Sequence, residues 1–276
     1  MSINSHIQSR FGLPTETGKS IEENQTITNI LTRRSHRAFN SDLVSPDLLD
    51  TLLAAAFSAP SKSDLQQSCV IHIQDQQKQQ RIANASPKTQ WVADVPVFLV
   101  WCGDSRRIRK LADWKAHSFA NDHLDAFMNA AVDVGICMQT FIIAAESFGL
   151  GCCPVSEIRD HIQLLSDELA LPEHVFPVAG LCVGWPKHEP NISLRLPMST
   201  TVKVNNYDDA DLIEEVASYD NRREKLENTL PEQQRNIEAF GVSRNYGWSE
   251  NRTRQYARPA RDDFGGYIRK QGFNLS

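Results

Sequence analysis

The clearest start signal in the chain is Ser45-Pro46-Asp47: a hydroxyl that can cap, a proline suited to the first turn, and an acid near the positive helix end. Leu48, Leu49, Leu52, Leu53 and Ala56 follow at helical spacing. The pattern therefore predicts a helix that the polar run Ala59-Pro60-Ser61-Lys62-Ser63-Asp64 ends. Cys69 to Ile73 reads as a strand, and a polar helix is expected from Gln76 to Asn84. Val95 to Cys102 is apolar at nearly every position, the signature of a strand buried on both faces, and a helix is expected over 105–114. From Leu124 to Phe148 runs a long helix, apolar over most of its circumference, which Gly149-Leu150-Gly151 ends. Such a helix belongs in a core or a subunit interface.

Cys152 to Ser156 reads as a tight strand or turn, followed by helical segments at 157–164 and 167–169. Val175 to Val183 is a third buried strand, closed by Gly184-Trp185-Pro186. A short helix is expected at 26–32 and a last one at 262–271. Residues 208–262 are highly charged, with helical stretches and a loop at 241–250. Residues 1–25 are polar and aperiodic and read as a flexible arm. Helix and strand alternate without an internal repeat or a linker. The expected organisation is one α+β domain over 26–276, with 208–262 as an excursion.

Composition narrows the class. The 276 residues are 41% hydrophobic, with 13 glycines and 13 prolines, which excludes collagen-like and wholly disordered chains. A net charge of −5 without a long basic stripe argues against a nucleic-acid partner. The N-terminus lacks a basic segment followed by an apolar one, and the apolar stretch 130–155 carries Asp133 and Glu146. Neither a signal peptide nor a membrane span is expected, and the location read from this is cytoplasmic. The six cysteines contain no C-x-x-C pair and read as reduced, mostly buried thiols. No H-E-x-x-H, nucleophile elbow or Walker loop is present, so no metal and no catalytic side chain is expected, and His72 and His174 read as core or surface fillers rather than catalysts.

Four segments carry candidate chemistry. Arg33, Arg34 and Arg37 around Ser35 could cradle a phosphate, since guanidinium forks pair with its oxygens; a solvated basic turn explains the same run. Ser61, Ser63 and Gln66 could read the polar edge of a flat heterocycle, or simply end a helix. Gly149 and Gly151 lead into Pro154-Val155-Ser156-Glu157, where backbone can approach a ligand. The third position of a G-x-G-x-x-G pattern is Pro154 and a helix precedes, which does not support a Rossmann nucleotide site. Last come Gly180 to Pro186 and, nine residues after Pro186, Arg195.

Taken together in order and spacing, RRSHRAF at 33–39, APSKSDLQQ at 59–67, QWVADVPVFLVWC at 90–102, AAESFGLGCCPVSEIR at 144–159, LPEHVFPVAGLCVGWP at 171–186 and RLP at 195–197 resemble one family. That family is the oxygen-insensitive nitroreductases and NAD(P)H–flavin oxidoreductases, in particular its larger NADPH-preferring branch. The resemblance implies a nitroreductase-like α+β fold: a mixed central sheet flanked by helices, in a homodimer that holds FMN at the subunit interface. It implies that Arg33, Arg34, Ser35, Arg37 and Arg195 hold the phosphate. Ser61, Ser63 and Gln66 would face the flavin ring or ribityl chain, Gln90 would contribute from either subunit, and Pro154, Val155, Ser156 and Glu157 would lie against the ring. Arg244 would take the 2′-phosphate of NADPH, and Lys62 is a candidate charge near the N1–C2 edge. Hydride would pass from NADPH or NADH to flavin N5 and on to a nitroaromatic, quinone or flavin acceptor in a two-step exchange. The chain departs from the pattern at Asp64, where relatives carry Asn, and at Ser193, where they carry Lys. A non-catalytic flavin-binding or sensing protein, or a specialised family member with a lid over 220–250, would share the same motifs.

Overall fold

The computed structural model describes residues 1–227 and 229–276, which pack as two units. One comprises Met1–Thr32 and Asn191–Ala260; the other comprises Arg33–Pro190 and Arg261–Ser276. In chain order the elements are α1 (Ile3–Phe11), α2 (Gln25–Thr32), α3 (Pro46–Phe57), β1 (Ser68–Ile73), α4 (Gln76–Asn84), β2 (Val97–Asp104), α5 (Arg106–Trp114), α6 (Leu124–Ser147), β3 (Gly151–Val155), α7 (Ile162–Glu168), β4 (Val175–Gly184), α8 (Met198–Thr201), α9 (Leu212–Glu224), α10 (Ile237–Phe240), α11 (Trp248–Tyr256) and α12 (Phe264–Lys270).

The unit built on residues 33–190 and 261–276 is an antiparallel sheet between helices. Its order is β1-β2-β4-β3, with Cys69 opposite Cys102, Phe98 opposite Cys182 and Cys153 opposite Cys182. The four strands pair antiparallel throughout. The one parallel pairing among the described residues is the bridge Ser35–Cys152, so the mixed character expected of the sheet is confined to its β3 edge.

Strand alternation sorts the core into two layers. Val97, Leu99, Trp101, Leu181 and Val183 face α3 and α6, where they meet Leu49, Leu52, Phe141 and Ile142. Phe98, Val100, Cys102, Cys153, Val155 and Cys182 face the other way, onto Ile82 of α4, Val92, Ile158 and Leu165 of α7. Both faces of β2 and β4 are therefore covered, as their continuous apolar runs predict. Phe176, Ala130, Tyr267, Ile268 and Phe273 form a third cluster that docks α12.

Helix α6 has the length and composition of a membrane span. One face is committed to the sheet: Val134, Cys137, Phe141 and Ala145 are buried in the core. Its other face leaves Leu124, Met128, Val132 and Ile136 exposed, one per turn.

The second unit is held by polar hubs. Residues 3–11, expected within a flexible arm, form α1, capped by the Ser2 hydroxyl and by Gly12 at φ 65°. Its buried side is largely polar, which hides it from a search for apolar periodicity. Asn4 donates to the carbonyls of Thr15 and Thr17, and Arg10 donates to those of Leu31 and Ser193. Buried Tyr219 of α9 donates to the Leu194 carbonyl, and buried Arg254 of α11 donates to Glu250 and to the carbonyls of Arg235 and Gly241.

Candidate functional site

The loop between α3 and β1 carries Ser61, Ser63 and Gln66, and its backbone is unusual. Ser63, Asp64 and Gln66 all sit in the left-handed region, at φ 51°, 56° and 50°. Non-glycine residues there cost energy and persist only where surroundings impose them. The imposing group is Asp133 of α6, 1% exposed, whose two carboxylate oxygens accept the Lys62 and Gln67 N–H groups, each at 3.1 Å. The Ser61 hydroxyl accepts the Gln66 N–H at 3.0 Å, and Gln66 Nε2 donates to Asp64. Arg107 of α5 donates to the Gln66 carbonyl. The Lys62 ammonium is paired with Asp125 at 3.1 Å and half exposed. Asp133 is absent from the sequence-level site, because an acid in an apolar helix carries no motif; its helical position facing the sheet is the signal that could have found it.

The arginine segment lies along the opposite edge of the sheet. His36 N–H donates to the Cys152 carbonyl, and Phe39 bridges Pro186. Trp185 anchors the same stretch: its carbonyl accepts the Asn40 N–H and its indole donates to the Leu43 carbonyl. The glycine-tryptophan-proline turn thus fixes residues 35–43 against β3 and β4. Gly151 permits the approach, since a Cβ there would stand 2.6 Å from His36 Cγ. It is a side chain of the protein, not a ligand, that uses this glycine's space.

The three guanidiniums separate into different roles. Arg33 forms a two-point pair with Glu146 of α6, at 3.0 and 3.3 Å, with both side chains mostly buried. Arg34 lies 3.5 Å from Glu189. Arg37 is exposed and forms no ion pair or side-chain hydrogen bond among the described residues. Burial pushes the thiol of neighbouring Cys153 up, and the Arg37 charge acts against this. Pro154 is exposed on the β3 edge, where a missing N–H costs no ladder bond; Val155 is buried, and Ser156 and Glu157 are half-buried. Gln90 opens the single-turn helix Gln90–Asp94 and is exposed.

A pocket of about 500 Å³ borders the 61–67 loop, with Lys62, Leu65, Gln67, Ile108, Phe119 and Asp125 in its wall. In the other unit a pocket of about 610 Å³ holds Arg195 together with Arg223, Arg252, Tyr219 and Trp248. Burial lowers the Arg252 pKa, and the charges of Arg235 and Arg223 lower it further, so this wall favours an anion. Arg223 and Arg252 lie in the charged run that sequence patterning could not divide into structure and surface. Arg244 is exposed and does not line this pocket.

Comparison with known proteins agrees with this architecture. Residues 30–185 match the nitroreductase family and residues 193–276 match the nitroreductase family C-terminal domain. An FMN reductase [NAD(P)H] of Bacillus subtilis is 31% identical over 258 residues, covering 91% of this chain and 99% of its own. An NADPH-flavin oxidoreductase of Vibrio harveyi is 30% identical over 202 residues, 71% of this chain and 80% of its own. The solved structure of B. megaterium NfrA2 superposes with a TM-score of 0.82 at 29% identity, covering 92% of this chain and 100% of that one. With both halves matched in order over nearly its whole length, the chain belongs to the nitroreductase family.

Proposed function

We propose that the protein is an FMN-dependent oxidoreductase that carries electrons from NADPH or NADH to nitroaromatic, quinone or flavin acceptors. The observation that carries the reading is the strained 61–67 loop. A buried carboxylate holds three left-handed residues in place, and the loop presents hydroxyl and amide groups. Strain of this kind is characteristic of ligand clamps. The activity comes from the named relatives, and the donor set fits the cofactor. An unpaired guanidinium at Arg37 suits a phosphate, and Ser61, Ser63 and Gln66 suit the polar edge of a flavin. FMN bound there would supply two-electron transfer between NAD(P)H and an acceptor.

The chain's own residues bind and orient. Arg37 and Ser35 would hold the phosphate from the β3 edge, and Arg195 lines the cationic pocket of its own unit. Arg33 and Arg34, tied to Glu146 and Glu189, keep the segment on the sheet. Pro154 to Glu157 form a wall beside the ring, Gln90 adds an amide, and Arg244 takes the 2′-phosphate. Asp133 sets the loop that carries Ser61, Ser63 and Gln66.

The two clusters lie on opposite edges of the sheet, three interstrand spacings or about 14 Å apart across the strands. A second copy of the chain supplies the 61–67 loop to the β3 edge of the first. The apolar stripe Leu124, Met128, Val132 and Ile136 on α6 is the surface that such a homodimer covers. Six free cysteines suit a reducing cytoplasm.

The purified protein is expected to be yellow and to bleach under nitrogen with NADPH or NADH, each added separately. It is expected to turn over repeatedly with menadione or nitrofurazone. Arg37→Ala should elute with less bound FMN at unchanged fold. A colourless preparation that FMN cannot reconstitute overturns the proposal.

A further inference from the structure

The sheet contains two pairs of directly opposed cysteines, and the redox chemistry expected of them differs. Cys69 of β1 faces Cys102 of β2, and Cys153 of β3 faces Cys182 of β4. All four side chains lie on the α4 and α7 side of the sheet. The Asp104 N–H donates to the Gln67 carbonyl at 2.8 Å, so 67 and 104 stand at a hydrogen-bonded position of the ladder, with the reciprocal Gln67 N–H taken by Asp133 instead. Antiparallel ladders alternate, so two residues further on Cys69 and Cys102 form one too. Such pairs place Cα atoms about 5.5 Å apart, within the range that a disulfide spans.

We infer that Cys69 and Cys102 form a reversible dithiol–disulfide site, oxidised by peroxide and reduced by a small thiol such as glutathione. The chemistry starts at Cys69. It lies on the edge strand and is half-buried, whereas Cys102 is 0% exposed. The neighbouring Cys102 side chain lowers the Cys69 pKa and burial opposes this, while the Cys102 thiol donates to the Val100 carbonyl. The reactive nucleophile is the thiolate. Cys69 sulfur attacks one oxygen of hydrogen peroxide, the O–O bond breaks, and sulfenic acid forms with release of water. Cys102 sulfur then displaces that hydroxyl as a second water, and the S–S bond closes. Two thiols lose two electrons and two protons, and one peroxide becomes two waters. Hydrogen-bonded strand pairs hold their Cβ atoms somewhat wider than a relaxed disulfide, so the bond is strained and readily reduced. Cys153 and Cys182, at 3% and 0% exposure, present no sulfur to an oxidant.

The test uses the full-length protein treated with a small excess of hydrogen peroxide, quenched with catalase, and alkylated in denaturant. The thiol count should fall from six to four. Peptide mapping should find one cross-link, joining Cys69 to Cys102, which glutathione reverses. Cys69→Ser should keep its remaining five thiols, while Cys102→Ser should accumulate a dimedone-reactive Cys69 without a cross-link. Six intact thiols, a cross-link between Cys153 and Cys182, or over-oxidation of Cys69 without cross-linking in the unsubstituted protein would each overturn the inference. None of these readouts depends on bound flavin.

Discussion

The two units of this chain reach order by different means. In the sheet unit, Trp101, Phe98, Phe141 and Leu181 are sealed within layers of aliphatic and aromatic side chains. In the unit of residues 1–32 and 191–260, the buried groups include Asn4, His6, Arg10, Gln234 and Arg254, and buried Tyr219 spends its hydroxyl on a carbonyl. An apolar core is non-directional and tolerates repacking, whereas a buried guanidinium holds only while each of its bonds is made. The first kind of order is therefore expected to yield to lost volume, and the second to a lost donor.

The largest predicted effect is in the sheet. Trp101 is fully buried between Phe57 and Phe141, each with ring centroids 5.9 Å away. Trp101→Ala should cost about 3–5 kcal/mol in a denaturant titration, from lost burial and the cavity left behind. Hydrogen exchange followed by mass spectrometry should show β1, β2 and β4 losing protection more than α9 and α11. Equal loss everywhere would mean that the units unfold together, and the contrast would carry no thermodynamic weight.

The next effect is the converse. Arg254 is 4% exposed and donates to Glu250 at 2.7 Å, to the Arg235 carbonyl at 3.1 Å and to the Gly241 carbonyl at 2.8 Å. Arg254→Met keeps most of the stem and removes every donor. Glu250, Arg235 and Gly241 all lie where water reaches, so the penalty is the loss of charge-assisted hydrogen bonds, about 2–3 kcal/mol in the same titration. Exchange should rise at 235–254 first. A methionine variant as stable as the parent would show that packing, not donation, holds this unit.

The same contrast explains what the sequence discloses. The expected helix at Gln76–Asn84, the strand opening at Val175 and the long helix starting at Leu124 match the structure closely, because a core leaves its period in the sequence. Helix α1 escapes notice because its buried residues include Asn4, His6 and Arg10, which no apolar template scores. The candidate site divides in the same way. Ser61, Ser63, Gln66 and Arg37 are visible as loop residues with useful chemistry. Two things are invisible: the clamp of Asp133 across 66 to 71 positions of chain, and the pairing of Arg33 with Glu146 at a separation of 113. Which arginine pairs with an internal carboxylate and which stays exposed without an ion pair among the described residues is decided by long-range packing, and a run such as Arg33-Arg34-Ser35-His36-Arg37 contains no record of it.

Acid should act on the sheet unit through its histidines. Burial lowers the pKa of His36, His72 and His174, all of which lie in this unit. Their native state favours the neutral ring, so as pH falls below about 6.5 the unfolded chain takes protons first. Stability is present above that value and is lost as pH drops toward the depressed native pKa values. Asp122 has the opposite charge type: the Arg109 hydrogen bond lowers its pKa, so its contribution is lost only further down, around and below its ordinary range. The urea midpoint should fall between pH 7.5 and 5.5, and a His36→Gln, His72→Gln, His174→Gln variant should flatten that slope. An unchanged slope would mean that these rings stay accessible enough to protonate in place.

The smallest effect sharpens the contrast most, because the chemical change is the same in both units. Ser45 accepts the Leu48 N–H at 3.2 Å to start α3, and Ser2 accepts the Ser5 N–H at 3.3 Å to start α1. Loss of either cap is worth about 1 kcal/mol. Helix α3 is pinned to the sheet by Leu49, Leu52 and Ala56, so its first turn cannot open without disturbing the core. Ser45→Ala should therefore lower the global denaturation midpoint. In helix α1 the far end is held by Arg10 through Leu31 and Ser193, so opening of the first turn costs only the Asn4 bonds to Thr15 and Thr17 and stays local. Ser2→Ala should raise exchange at residues 3–6 and leave the midpoint where it was. A shared midpoint shift for both caps would show that polar hubs propagate a local loss as fully as an apolar core does.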